Sequence, residues 1–207
     1  GEISMRTGED GTEKPYEMNI SLYDALKGTI KGEDDLQRER FIASQVIMLG
    51  LEGVPAFYIH SLLSTQNDYE KMQRTGSRRG INRHQYDYDD LYESLNDSKS
   101  DKSYIFKELK RIIAIRTQQP AFHPNAIQFT LQLPEGLFGF WRQSKDRKQN
   151  LFCITNVTNK DREMSLHNLN LYSGVKWKDL LTDQVFEDRE NDLIIAPYQS
   201  MWITNMD

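Results

Sequence analysis

Between residues 66 and 86 the chain runs Gln66-Asn67-Asp68-Tyr69-Glu70, then Thr75-Gly76-Ser77-Arg78-Arg79-Gly80-Ile81-Asn82-Arg83-His84-Gln85-Tyr86. Four arginines (Arg74, Arg78, Arg79, Arg83), an amide pair (Gln66, Asn67) and Asp68 fall in this stretch. Guanidinium forks, carboxamides and a carboxylate each make several directed hydrogen bonds, so the stretch reads as a polar loop of the kind that grips sugar hydroxyls. Arg78 and Arg79 could hold phosphate or form a solvated charge cluster. His84, His123 and His167 stand apart, with no carboxylate or cysteine at ligand spacing, so no metal site is expected.

Other elements must position these groups. Gly53-Val54-Pro55-Ala56-Phe57-Tyr58-Ile59-His60 leads into the loop. Short, apolar and bounded by Gly and Pro, residues 54–59 read as a strand buried on both faces of a parallel sheet. His60 ends that strand, where it could line a pocket rim or merely cap the strand end. Upstream, Leu36, Phe41, Ile42, Val46 and Leu49 recur near a 3.6 period behind Asp34 and Asp35, and Gly50 stops the helix. Residues 98–118 repeat the helical pattern through Ile105, Leu109, Ile112 and Ile113, and Pro120 closes it. Beyond Pro120 short alternating runs between turn residues predict an all-β region, with strands over 127–131, 137–141, 151–157, 163–166, 175–181 and 193–204. Trp141, Trp177 and Trp202 fall in those runs and read as core rather than as a sugar-stacking platform. The start, residues 1–19, reads as a turn-rich excursion in which Pro15 keeps Tyr16 and its neighbours extended.

Composition narrows the class. The 207 residues are 38% hydrophobic and 11% aromatic, enough for a core. A net charge of -5 argues against a nucleic-acid footprint. No stretch approaches the length of a membrane helix. The single cysteine, Cys153, lies in an apolar run and suits a reducing cytoplasm. The beginning at Gly1, without Met, reads as a cut and not a start.

In this order, Gly53-Val54-Pro55-Ala56-Phe57-Tyr58, Asn67-Asp68-Tyr69-Glu70 and Ile81-Asn82-Arg83-His84-Gln85-Tyr86, followed by a long helix and a β region, the chain resembles the C-terminal part of sucrose-phosphorylase-like members of the α-amylase superfamily, the glucosylglycerate/sucrose phosphorylase group. The resemblance implies an α/β fold: the last part of a (β/α)8 TIM barrel, then a small antiparallel all-β sandwich domain. It places residues 1–33 in an excursion and acceptor loop after the seventh barrel strand, 34–120 at the end of the barrel, and 121–207 in the β domain.

The same resemblance implies a retaining phosphorylase that converts an α-glucoside and inorganic phosphate to α-glucose 1-phosphate through paired carboxylates. Those carboxylates belong upstream of Gly1, so the segment is expected to be inactive alone. No cofactor, nucleic acid or membrane is implied. Arg83 matches the arginine at the floor of the glucose pocket, its bland alternative being a surface residue. Tyr16 resembles the acceptor-loop aromatic, or else packs within that loop. Glu17 stands where sucrose-specific relatives carry Gln, which puts fructose in doubt as the acceptor. Open beside this reading are a hydrolase or transglucosidase on the same scaffold, and a non-catalytic carbohydrate-binding or structural β domain.

Overall fold

The computed structural model describes residues 1–169, 176–186 and 192–205. Two compact units form, one from residues 1–41 and 57–108, the other from 42–56 and 109–207.

In the first unit the excursion is a β-hairpin, β1 (Glu2–Thr7) against β2 (Glu13–Asn19). Its turn is closed by Gly8 N–H to Thr12 O at 2.8 Å, with Gly11 at a φ of 74° and the Asp10 carboxylate accepting from Thr12 N–H and Oγ1–H. Pro15 faces Met5 where the register shifts, a point at which a strand tolerates a missing N–H. The short helix α1 (Leu22–Ala25) is capped by Ser21, and β3 (Gly28–Thr29) pairs with β4 (Gly32–Glu33). Helix α2 (Gln37–Gly50) begins in this unit, where Asp34 accepts from Leu36 N–H and from the buried Arg40 guanidinium at 2.6 and 2.7 Å. Its stop at Gly50 is where the sequence reading puts it.

Residues 54–59, expected as a buried strand, belong to none. Val54 is 80% exposed, and the chain turns at Ile59 into the short helix α3 (Ile59–Leu62), so His60 is helical and does not end a strand. A parallel strand exists only by pairing with its neighbours; among the described residues none pairs with this run. Within the stretch that reads as a polar loop, α4 (Tyr69–Thr75) and a 3-10 turn (Arg78–Asn82) form, followed by α5 (Tyr88–Asn96) and α6 (Asp101–Thr117).

The second unit is built on six antiparallel strands in the order β10-β9-β12-β7-β6-β5, from β5 (Ile127–Thr130), β6 (Leu137–Gln143), β7 (Asn150–Asn156), β9 (Trp177–Asp179), β10 (Val185–Phe186) and β12 (Ser200–Asn205). A second pair, β8 (Arg162–Ser165) and β11 (Asp192–Ile195), is also antiparallel. Their apolar residues share one cluster, including Phe152, Ile154, Met164, Trp177, Ile195, Met201 and Ile203. Trp177 and Trp202 are buried and Trp141 stacks on Phe152, as core residues do. The expected run over 175–181 begins at Val175, which lies outside the described residues.

Asp179 is fully buried between β9 and β12, accepting from Trp202 N–H at 2.7 Å, Leu181 N–H at 3.2 Å and Thr182 Oγ1–H at 2.7 Å. Burial pushes its carboxyl above the ordinary value, outweighing the downward pull of those donors. A carboxyl whose folded-state pKa is raised contributes stability in full below the unfolded value, about 3.9, and loses it as pH rises through the folded value. Asp179→Asn keeps the acceptor for both N–H groups and can donate to Thr182. Urea unfolding is therefore expected to show the variant gaining on the parent as pH rises from about 4 to 7. An identical pH slope in both proteins would show that Asp179 titrates as if exposed.

Candidate functional site

The four candidate site residues fall in three places within the first unit. Tyr16 and Glu17 lie on β2, and Tyr16 is 60% exposed. Glu17 Oε2 accepts from Arg79 Nε at 3.0 Å, so its carboxylate is answered by a guanidinium. That ion pair raises the Arg79 pKa. Arg79 is thus held by the chain's own carboxylate, while Arg78 is exposed.

Arg83 follows the 3-10 turn, and a side chain of α4 and that of its N-cap residue hold the chain around it. Lys71 Nζ donates to Arg83 O, and Asp68 Oδ2 meets Nδ1 of the next residue, His84, at 2.6 Å. Asp68 also caps α4 by accepting from Lys71 N–H at 2.7 Å. Burial works to raise the Asp68 pKa, but these donors more than offset it and its carboxyl stays below the ordinary range. The Arg83 side chain is exposed and makes no hydrogen bond or ion pair to any described residue, so its fork is free for a ligand.

His60 belongs to a separate network. Its Nδ1 lies 3.1 Å from Thr65 Oγ1, which lies 2.7 Å from Tyr86 Oη, which takes a hydrogen bond from Lys102 Nζ at 2.7 Å. Burial first, and then the positive charges of His84, Lys71 and Lys102, hold the His60 pKa down. An open cleft of about 530 Å³ is lined by Thr65, Asn67, Asp68, His84, Tyr86 and Lys102, among others. The structure therefore links Glu17 to Arg79 and His60 to Tyr86, and shows no hydrogen bond or ion pair between Arg83 and Tyr16, Glu17 or His60. Asn67 and Asp68 tie the loop down, as side-chain to backbone chemistry suggests: Asn67 Oδ1 accepts from Ser21 N–H at 2.7 Å.

Sequence reasoning missed Thr65, Tyr86 and Lys102 as a unit, and the pairing of Asp68 with His84. Sixteen residues separate each of the pairs Asp68–His84 and Tyr86–Lys102, and no spacing rule joins them.

No family model matches the chain. It is 31% identical over 216 residues to the glucosylglycerate phosphorylase of Spirochaeta thermophila, a match that covers 99% of this chain and 36% of that protein. The glucosylglycerate phosphorylase of Allomeiothermus silvanus is 34% identical, with 98% of this chain and 34% of the relative covered. Over nearly its whole length this chain is sucrose-phosphorylase-like. The sucrose-phosphorylase-like chain spans about a third of the length of these curated relatives, matching their C-terminal part. Its backbone is similar to the solved structure of AmyP in complex with maltose, with a TM-score of 0.68 at 15% identity over 86% of this chain and 37% of that one. That likeness speaks for the fold alone.

Proposed function

We propose that the chain supplies the glucose-gripping end of a retaining α-glucosyl phosphorylase, which exchanges an α-glucosidic bond for α-glucose 1-phosphate. The observation that carries this reading is the match over 99% of the chain to a glucosylglycerate phosphorylase. In this reading residues 34–120 complete a (β/α)8 barrel and residues 121–207 form a β-sandwich domain, in a cytoplasmic enzyme. Catalysis belongs to carboxylates outside residues 1–207, which form and resolve a covalent glucosyl-enzyme. Arg83 offers two directed donors to the glucosyl ring, and its free fork on a clamped backbone supports the role. Tyr16 and Glu17 face the second substrate, and His60 lines the pocket.

Both relatives named above carry glucosylglycerate in their names, so glycerate is favoured over fructose as the acceptor. The Glu17–Arg79 pair supports an acceptor other than fructose, on the expectation drawn from the resemblance that sucrose-specific members carry a neutral amide at this position.

A joined enzyme tests the proposal: the Spirochaeta thermophila protein with its matching segment replaced by residues 1–207. Phosphate-dependent release of α-glucose 1-phosphate is expected from the joined enzyme, and none from residues 1–207 alone. Release of free glucose at the same rate without phosphate would make the segment that of a hydrolase. Turnover by residues 1–207 alone would place the catalytic carboxylates within them.

A further inference from the structure

The bonds that run from α6 to His60 have a direction. A lysine ammonium has three protons to give and no lone pair, so Lys102 must donate to Tyr86 Oη, which it also approaches at 4.6 Å from the ring centroid. Thr65 is only 3% exposed, and its hydroxyl has two neighbours, Tyr86 Oη and His60 Nδ1. Three proton arrangements keep both contacts; in one, Thr65 Oγ1 accepts from both neighbours and its own buried O–H is left without an acceptor, and the other two use that proton. In one of those two, Tyr86 O–H donates to Thr65 Oγ1, and Thr65 O–H donates to His60 Nδ1. Both hydroxyl protons are then used, and each bond polarises the next in the same sense. In the other, His60 Nδ1–H donates to Thr65 and Thr65 donates to Tyr86. The phenolic proton is then left without an acceptor among the described residues, although the phenol is the stronger donor of the two hydroxyls.

We propose that Lys102 is a positioning residue that sets the tautomer of His60: through Tyr86 and Thr65 it makes Nδ1 an acceptor and leaves the ring proton on Nε2. His60 Nε2 makes no hydrogen bond to any described residue. A backbone bond from Thr65 N–H to His60 O at 2.8 Å holds the two residues in fixed register. His60 thus presents one oriented N–H donor, which fits an oxygen lone pair of a sugar hydroxyl or of a phosphate group. The ligand part of this inference rests on the role given to His60 under the proposed function; the tautomer does not.

Long-range proton–nitrogen NMR spectra of residues 1–207 read the tautomer directly. The chain has four histidines, and His60→Asn identifies the signal concerned. Above the His60 pKa, the parent should show a protonated Nε2 and a bare Nδ1. The Nδ1–H form should become populated in both Lys102→Met and Tyr86→Phe, whereas Lys102→Arg, which keeps a cationic donor, should retain the parental pattern. Tyr86→Phe guards against a local fold defect at the start of α6. A parental Nδ1–H form, or unchanged spectra in both variants, overturns the relay.

Kinetics of the joined enzyme test the ligand role separately. Lys102→Met, His60→Asn and the double variant should lose the same fraction of kcat/KM, since they remove one and the same donor. The substrate whose KM rises, glucoside or phosphate, identifies the oxygen bound. Additive losses would mean that Lys102 acts on the reaction elsewhere and would overturn its link to His60. The expected tautomer response together with full activity in His60→Asn would leave the relay standing and remove His60 from the pocket.

Discussion

Replacing Arg142 by Met is expected to remove about 3–5 kcal/mol of folding stability from the second unit. Its side chain is wholly buried and donates to three carbonyls from separate stretches of chain: Gly50 O at 2.8 Å, His123 O at 3.0 Å and Ala126 O at 3.3 Å. Each carbonyl stripped of its donor in a dry interior costs on the order of 1–3 kcal/mol. Relief from burying a charge offsets part of this, because burial already pushes the Arg142 pKa down. Gly50 is the last residue of α2, so the guanidinium also meets the negative end of that helix. Arg116 assists there, its Nε donating to Leu49 O at 2.7 Å. Arg142→Lys should recover little, since one ammonium cannot reach three divergent acceptors. Urea unfolding of both variants checks the account: a loss below about 1 kcal/mol for Arg142→Met would show that water enters and satisfies the carbonyls.

For Arg83 the expected effect is on turnover. In the joined enzyme Arg83→Lys keeps the charge and removes the fork. Both kcat and kcat/KM should fall by the equivalent of about 2–4 kcal/mol if the two bonds tighten as the glucosyl ring flattens in the transition state. The substitution should leave folding stability almost untouched, because the side chain is exposed and the contacts at this point, from Lys71 to the Arg83 carbonyl and from Asp68 to His84, do not use the guanidinium. Tyr16→Phe should behave differently, raising the KM for phosphate or acceptor while sparing kcat, since β2 faces the second substrate in the proposed arrangement. Steady-state kinetics in the phosphorolysis direction, with each substrate varied, separates the two. An Arg83→Lys enzyme with parental kcat/KM would take this residue out of the glucose pocket.

The helices α2 and α6, the stop at Gly50 and most strands after Pro120 were determined by sequence alone, because apolar period and turn chemistry are local properties of neighbouring residues. The quoted motifs also sufficed to point to the glucosylglycerate phosphorylases that the chain resembles. Tertiary structure decided what depends on partners distant in sequence. Residues 54–59 are apolar enough for a buried strand, yet hydrogen bonds from neighbouring strands make a strand, and no described strand supplies them. Arg142 lies just past the run read as a strand over 137–141, and nothing in the sequence marks it until the fold brings Gly50, His123 and Ala126 around it. Lys102 reads as a helix-surface charge, and only the approach of Tyr86, Thr65 and His60 turns it into one end of a directed relay. Each of these assignments is a choice among long-range partners. Loop closure and packing make that choice, and the pattern along the chain carries no record of it.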